Sequence, residues 1–209
     1  MYIPTLVDSG ITAEIVKLPK GFFERQKLFA KSACFDAVFL HKKGLNFFDA
    51  LRLKNHAKKI IYNFDDAVMY SDKTPEKDSI FHFLPWRRSV KLADLVIAGS
   101  TYLAEQARKF NSNVAILPIG LKVSDYKSRN SCGHDDKIRL VWIGSRSTLA
   151  YLAGMKPVLE EIGTRFDRVV LRIIGDCFFD LDNMAVEKCL WSKEERSAYL
   201  AECDIGLAP

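Results

Sequence analysis

KIRLVWIGSRST, residues 137–148, is the stretch whose reading decides the fold. Residues 138–143 are a nearly continuous apolar run with β-branched side chains and a Trp, the composition of a strand covered on both faces in a parallel sheet. The run stops at Gly144-Ser145, and a helical pattern follows with Leu149, Leu152 and Leu159 at apolar positions. A strand, a short turn and a helix start make a place for a phosphate. The first helical N–H groups have no intrahelical partner, and the helix dipole favours an anion there. Ser145, Ser147 and Thr148 would add hydroxyl donors and Arg146 a charge. The stretch matches neither GxGxxG nor a Walker loop, so a turn that binds nothing is an equal reading of it.

The same alternation runs outward in both directions. Upstream, residues 2–9 read as the end of a helix closed by Gly10, and 12–18 as a strand. An α/β domain usually opens on a strand, so a first strand is expected to be missing. Residues 21–33 form a basic, aromatic helix; covering a sheet face is the favoured reading, and lying on a membrane surface the other. Strand 35–40 ends at His41, helix 45–57 follows, and strand 59–64 ends at Asp65-Asp66. After a polar loop at 71–79 come helix 81–92, bent near Pro85, and strand 95–98, stopped by Gly99-Ser100. Helix 101–110 has Ser100 as its N-cap, and strand 114–117 closes the series.

Residues 121–136 are polar and aperiodic, and read as a linker between a domain at 1–120 and another at 137–209. Beyond strand 138–143, a helix at 149–165 is expected to break near Gly154 and Pro157. Strand 169–174 ends at Gly175-Asp176, and 185–190 is a short strand. Ser192 and Glu195 form a capping box for helix 193–202, and 204–207 is a last strand. A sheet that ends on a strand lacks the helices that should follow, so the second domain is expected to be incomplete. The expected fold class is α/β, two Rossmann-like parallel-sheet domains with their ligands beyond the carboxyl ends of the strands. If the two faced each other, the residues after the strands would line one cleft.

Composition narrows the function classes. The 209 residues are 48% hydrophobic and 27% charged, with a net charge of +5, ordinary for a globular chain. The basic residues are too dispersed to argue for nucleic acid but suit anionic ligands. Five cysteines without a CxxC pair indicate neither zinc nor a disulfide framework, and reduced cytosolic thiols are the default. No run of about 18 apolar residues is present, and the N-terminus does not read as a signal peptide.

The order and spacing of these segments resemble the retaining GT-B glycosyltransferases that carry a "glycosyl transferases group 1" C-terminal domain. FDAVFLH (35–41) is similar to that family's strand ending in His. YNFDD (62–66) is similar to its next strand, which in a subgroup ends in an acidic pair. ADLVIAGSTYLAEQA (93–107), ILPIGLK (116–122), IRLVWIGSRST (138–148), LRIIGD (171–176) and LWSKEERSAYLAECDIGLAP (190–209) follow in the family's order. The resemblance implies a nucleotide-diphosphate sugar as donor, with no other cofactor, and a sugar or lipid-linked acceptor. It implies diphosphate contacts at Gly144, Ser145 and Arg146, a close backbone approach at Gly175, and base contacts at Leu190 and Trp191. His41 would touch the transferred sugar or the acceptor.

The residues themselves leave alternatives open. His41 is equally a satisfied edge histidine. Asp65 and Asp66 would bind acceptor hydroxyls or act as a base, or they cap the next segment; an adjacent pair alone makes a poor metal site. Asp176 reads better as a loop cap than as a ligand, and Trp191 is as well suited to packing as to stacking. His134, Asp135 and Asp136 are expected to be solvated, and His56 and His82 receive no role. Departures from the family are Ile119 and Lys122 at the junction element, the lack of a clear Arg/Lys clamp, and no Glu-x7-Glu before Pro209. A chain ending there is expected to be inactive by itself. The whole protein is expected in the cytoplasm, either free or at the inner membrane face, as a sugar transferase of polysaccharide or glycoconjugate synthesis. A GT-B nucleotide-sugar epimerase and a non-catalytic nucleotide-binding domain are the alternatives.

Overall fold

The computed structural model describes residues 3–71, 79–121, 123–126 and 136–209. The chain divides into two compact units, Met1–Gly120 and Leu121–Pro209. Most of the linker, with Lys122, His134 and Asp135, lies outside the described residues, as does most of the loop at 71–79.

The N-terminal unit runs α1 (Ile3–Asp8), α2 (Phe22–Lys31), β1 (Val38–His41), α3 (Phe47–His56), β2 (Ile60–Phe64), α4 (Ile80–Leu92), β3 (Leu95–Ala98), α5 (Thr101–Arg108) and β4 (Val114–Ile116). Its sheet has the order β1-β2-β3-β4, with every pair parallel. Gly10 closes α1 in the left-handed region at φ 76°. Its N–H reaches Val7 O and that of Ile11 reaches Leu6 O, the pairing of a Schellman cap. The core is aromatic: Tyr62 stacks on Phe64, and Phe64 and Phe110 meet Trp86 edge-on.

Residues 12–18 are not a strand; residues 11–19 have no regular structure. Apolar alternation makes a strand only where a neighbouring backbone completes its ladder. Here β1 is the edge of the sheet, Ile15 and Val16 stand exposed, and Leu18 alone packs on the core. Strand 35–40 likewise forms only from Val38 onward.

The C-terminal unit contains β5 (Ile138–Ile143), α6 (Leu149–Gly154), α7 (Lys156–Arg165), β6 (Val169–Gly175), β7 (Ala185–Leu190), α8 (Arg196–Ala201) and β8 (Ile205–Gly206). The order is β7-β6-β5-β8, again all parallel. β6 is buried along its whole length. β5 is covered on both faces only at Leu140–Trp142, its first and last residues being exposed. The helix at 149–165 breaks at Met155, between Gly154 and Pro157. Helix 193–202 is shorter than the capping box predicts. Ser192 Oγ accepts from the Glu195 N–H and donates to the Glu195 carboxylate, and regular helix begins at Arg196.

Two features of this unit contradict simple pattern reading. Gly163 sits inside α7, where a Cβ would collide with the backbone carbonyl of Asn183. Glu160 on the same helix accepts from the N–H groups of Asp182 and Asn183 at 2.8 and 2.7 Å, so helix and loop are clamped together. Arg172 lies buried in the middle of β6. Its guanidinium donates to Glu187 on β7, to Glu202 and to the carbonyl of Tyr199 at 2.8–2.9 Å, tying α8 to the sheet.

Candidate functional site

Each unit brings predicted site residues to the carboxyl end of its own sheet. In the C-terminal unit, Ile143, Gly144, Ser145, Asp176 and Trp191 line an open hollow of about 380 Å³. The glycines shape it. A Cβ on Gly144 would run into the Trp142 ring and come within 2.8 Å of Thr148 Oγ1, and one on Gly175 would stand 2.8 Å from the Gly144 carbonyl. Gly175 therefore lets the end of the neighbouring strand approach closely. Trp191 is held by its N–H to Gly175 O at 3.2 Å, with its side chain half exposed. Leu190 and Arg146 are exposed and do not line the hollow.

Several N–H groups of this turn are already engaged. Gly144 N donates to Ile174 O, Ser145 N to Thr148 Oγ1 at 3.1 Å, and Arg146 N to the Asp176 carboxylate at 3.0 Å. Asp176 is thus the loop cap, standing where an anion would bind. The Ser145–Ser147 hydroxyl pair, 2.9 Å apart, stands beside them with the Arg146 side chain exposed.

In the N-terminal unit, His41, Lys42, Asp65 and Asp66 meet at the ends of β1 and β2. Buried Asn63 orders the histidine. Its Nδ2 donates to Ile97 O, so its Oδ1 faces His41 Nδ1 at 2.7 Å. That arrangement puts the proton on Nδ1 and leaves Nε2 as an acceptor. Lys42 adopts a left-handed backbone at φ 54°, its N–H bonded to Asn63 O. Its ammonium bridges Asp65 and Asp66 at 2.6 and 2.7 Å. Burial pulls the Lys42 ammonium pKa down, but the two carboxylates more than reverse this, so it lies above its ordinary value. Gly99 lets β3 close on this corner, since its Cβ would lie 2.7 Å from Asp65 Cα.

Sequence reasoning missed Asn63 and Lys42. The signal for Asn63 was a lone amide inside an apolar strand; for Lys42 there was none beyond its place after His41. Among the described residues no group of three or more His, Cys, Asp or Glu is placed to hold a metal, and no helix is long and apolar enough to cross a membrane.

No protein-family model and no curated protein matches the chain. Solved structures match at the level of fold. A putative UDP-N-acetylglucosamine 2-epimerase from Listeria monocytogenes superposes with a TM-score of 0.50 at 12% identity, over 96% of this chain and 60% of that one. The fold is that of Rossmann-like α/β units. The UDP co-structure of MnaA from S. aureus gives 0.46 at 13% identity, over 88% and 57%. The Glycosylation Associate Protein (Gap123) complex from Streptococcus agalactiae gives 0.46 at 12%, over 93% and 44%. The chain spans between 44% and 60% of the length of these structures.

Proposed function

We propose that this chain is part of a nucleotide-sugar enzyme of GT-B fold that moves a sugar from a nucleotide-diphosphate donor to a sugar or lipid-linked acceptor, with retention. The observation that carries the reading is the hollow over β5 and β6, in which Trp191 stands across from Gly144 and Ser145. An indole there offers a stacking face for a base. The hydroxyls of Ser145 and Ser147, with Arg146 beside them, offer donors to a diphosphate. As the sugar leaves, charge grows on the diphosphate, and donors held in place stabilise that charge. In the other unit, His41 Nε2 is ready to accept from a sugar hydroxyl, and Asp65-Asp66 to bind acceptor hydroxyls. We assign the reaction to polysaccharide or glycoconjugate synthesis in the cytoplasm, either free or at the inner face of a membrane. A second reading, epimerisation of the nucleotide sugar itself, draws its support from the fold shared with the Listeria 2-epimerase.

Calorimetry with UDP and with GDP tests the hollow. Binding in the micromolar to low-millimolar range is expected, weakened at least about fivefold by Trp191→Ala, the smallest loss expected for one stacked base. Equal binding by the variant removes Trp191 from the site. Gly144→Val is the wrong probe, since its side chain would strike Trp142. With the full-length protein, nucleotide release that requires an acceptor marks a transferase; isomerised sugar still joined to the nucleotide marks an epimerase.

A further inference from the structure

One exposed aromatic cluster of the N-terminal unit plays no part in the site. Phe22 and Phe23 on α2 and Phe47 and Phe48 on α3 form a chain of edge-on ring contacts with centroids 5.5–5.8 Å apart. Edge-on rings at this spacing are normal in a core. Here all four stand in solvent, Phe23 at 78% and Phe47 at 61% exposure. The ridge is rigid beneath: Arg25 pairs with Asp49 at 3.1 Å and Gln26 donates to Asp49, locking α2 to α3. Asp49, the one acid on α3, is thereby buried and neutralised.

Two cations beside the ridge carry no ion pair among the described residues. One turn after Phe23 comes Lys27, and one turn after Phe48 comes Arg52, each on the face of the ring it follows. Both are exposed, and neither has a carboxylate partner among the described residues. Two cations of α4 are otherwise engaged: Arg88 donates to Leu45 O at 2.7 Å, and the Arg87 guanidinium lies over the Phe110 ring at 5.0 Å. Exposed phenyl rings with unpaired cations one turn away match one surface in particular, a bilayer with acidic headgroups. Rings enter the acyl boundary while cations sit at lipid phosphates.

We infer that the α2–α3 aromatic ridge docks this protein onto an acidic lipid surface, with Lys27 and Arg52 contacting the headgroup phosphates. The inference stands independently of the nucleotide-sugar reading. Co-sedimentation of the chain with vesicles tests it, using phosphatidylcholine alone and phosphatidylcholine mixed with phosphatidylglycerol. Binding to the acidic vesicles is expected to exceed binding to the neutral ones at least about tenfold, because each basic residue near an acidic surface adds to the affinity. Phe23→Ser with Phe47→Ser, and separately Lys27→Glu with Arg52→Glu, are each expected to lower acidic-vesicle binding by a similar factor. All four positions are exposed, and an unchanged thermal melt shows that the variants are folded. Absence of binding to acidic vesicles, equal binding to neutral ones, or equal binding by the folded variants overturns the inference. So does self-association in sedimentation velocity that the Phe pair abolishes without any vesicle binding; the ridge would then be an interface between copies of this chain.

Discussion

In the N-terminal sheet charge stands at the carboxyl rim, where Lys42 bridges Asp65 and Asp66 above a core of aromatic rings. In the C-terminal sheet the rim is built of small residues, and charge lies in the middle of the sheet, where Arg172 of β6 meets Glu187 and Glu202. The same βα alternation therefore supports two designs. A rim of paired charges is suited to sugar hydroxyls. At Gly144, Ser145 and Gly175 the chain packs closely on itself, with Thr148 and Asp176 holding the turn. Arg172 ties α8 to the sheet from inside it.

The largest effect expected from breaking this contrast is that of Arg172→Met. It leaves Glu202 without its guanidinium and Glu187 with Arg139 alone. Removing the buried guanidinium loses its charge-assisted hydrogen bonds but leaves partly exposed carboxylates, a cost of about 1.5–3 kcal/mol. Amide exchange should accelerate in Leu121–Pro209 and stay unchanged in Met1–Gly120; a loss below about 1 kcal/mol would mean the cluster behaves as a surface pair. Next comes Gly163→Ala. Helix propensity alone predicts a gain of up to about 1 kcal/mol. The Asn183 carbonyl in the way predicts instead a loss of about 1–3 kcal/mol, read from the urea midpoint.

These two residues also mark how far the sequence was legible. The order of strands and helices followed from apolar runs punctuated by glycine, and the break at Met155 followed from Gly154 and Pro157. Pattern reading failed where an outcome depended on a partner distant in the chain. Residues 12–18 alternate like a strand but have no neighbouring backbone. Arg172 reads as a lone basic residue in LRIIG until Glu187 and Glu202 arrive from 15 and 30 positions downstream. The turn at 144–148 showed its hydroxyls and its charge, but not that Asp176 would occupy the N–H of Arg146.

A smaller effect separates the units by pH. Burial raises the Glu187 carboxyl pKa, but the guanidiniums of Arg139 and Arg172 outweigh it and hold the group below the ordinary 4.5. Its contribution is complete above 4.5 and is lost as pH falls through the depressed value. Lys42 is shifted the other way; its contribution is complete below 10.5 and is lost as pH rises through the raised value. Urea midpoints should then fall at the acid end for the C-terminal unit and at the alkaline end for the N-terminal one, each by under about 1 kcal/mol. Glu187→Gln should flatten the first limb only, and Lys42→Met the second only. One variant flattening both would erase the contrast.

The smallest effect bears on what shapes the N-terminal rim. A left-handed backbone at a residue with a Cβ costs about 1–2 kcal/mol, and Lys42 bears that cost at φ 54°. Its partly exposed ion pairs return about 0–1 kcal/mol. Lys42→Gly relieves the strain and loses the pairs, so its stability should lie within about 1 kcal/mol of the parent. Lys42→Ala keeps the strain and loses the pairs, and should be about 1 kcal/mol less stable than the glycine variant. Chemical denaturation of the two side by side reads the difference. An alanine variant as stable as glycine would mean that the turn relaxes once the carboxylates let go. Charge would then shape the N-terminal rim, as chain geometry at Gly144 and Gly175 shapes the C-terminal one.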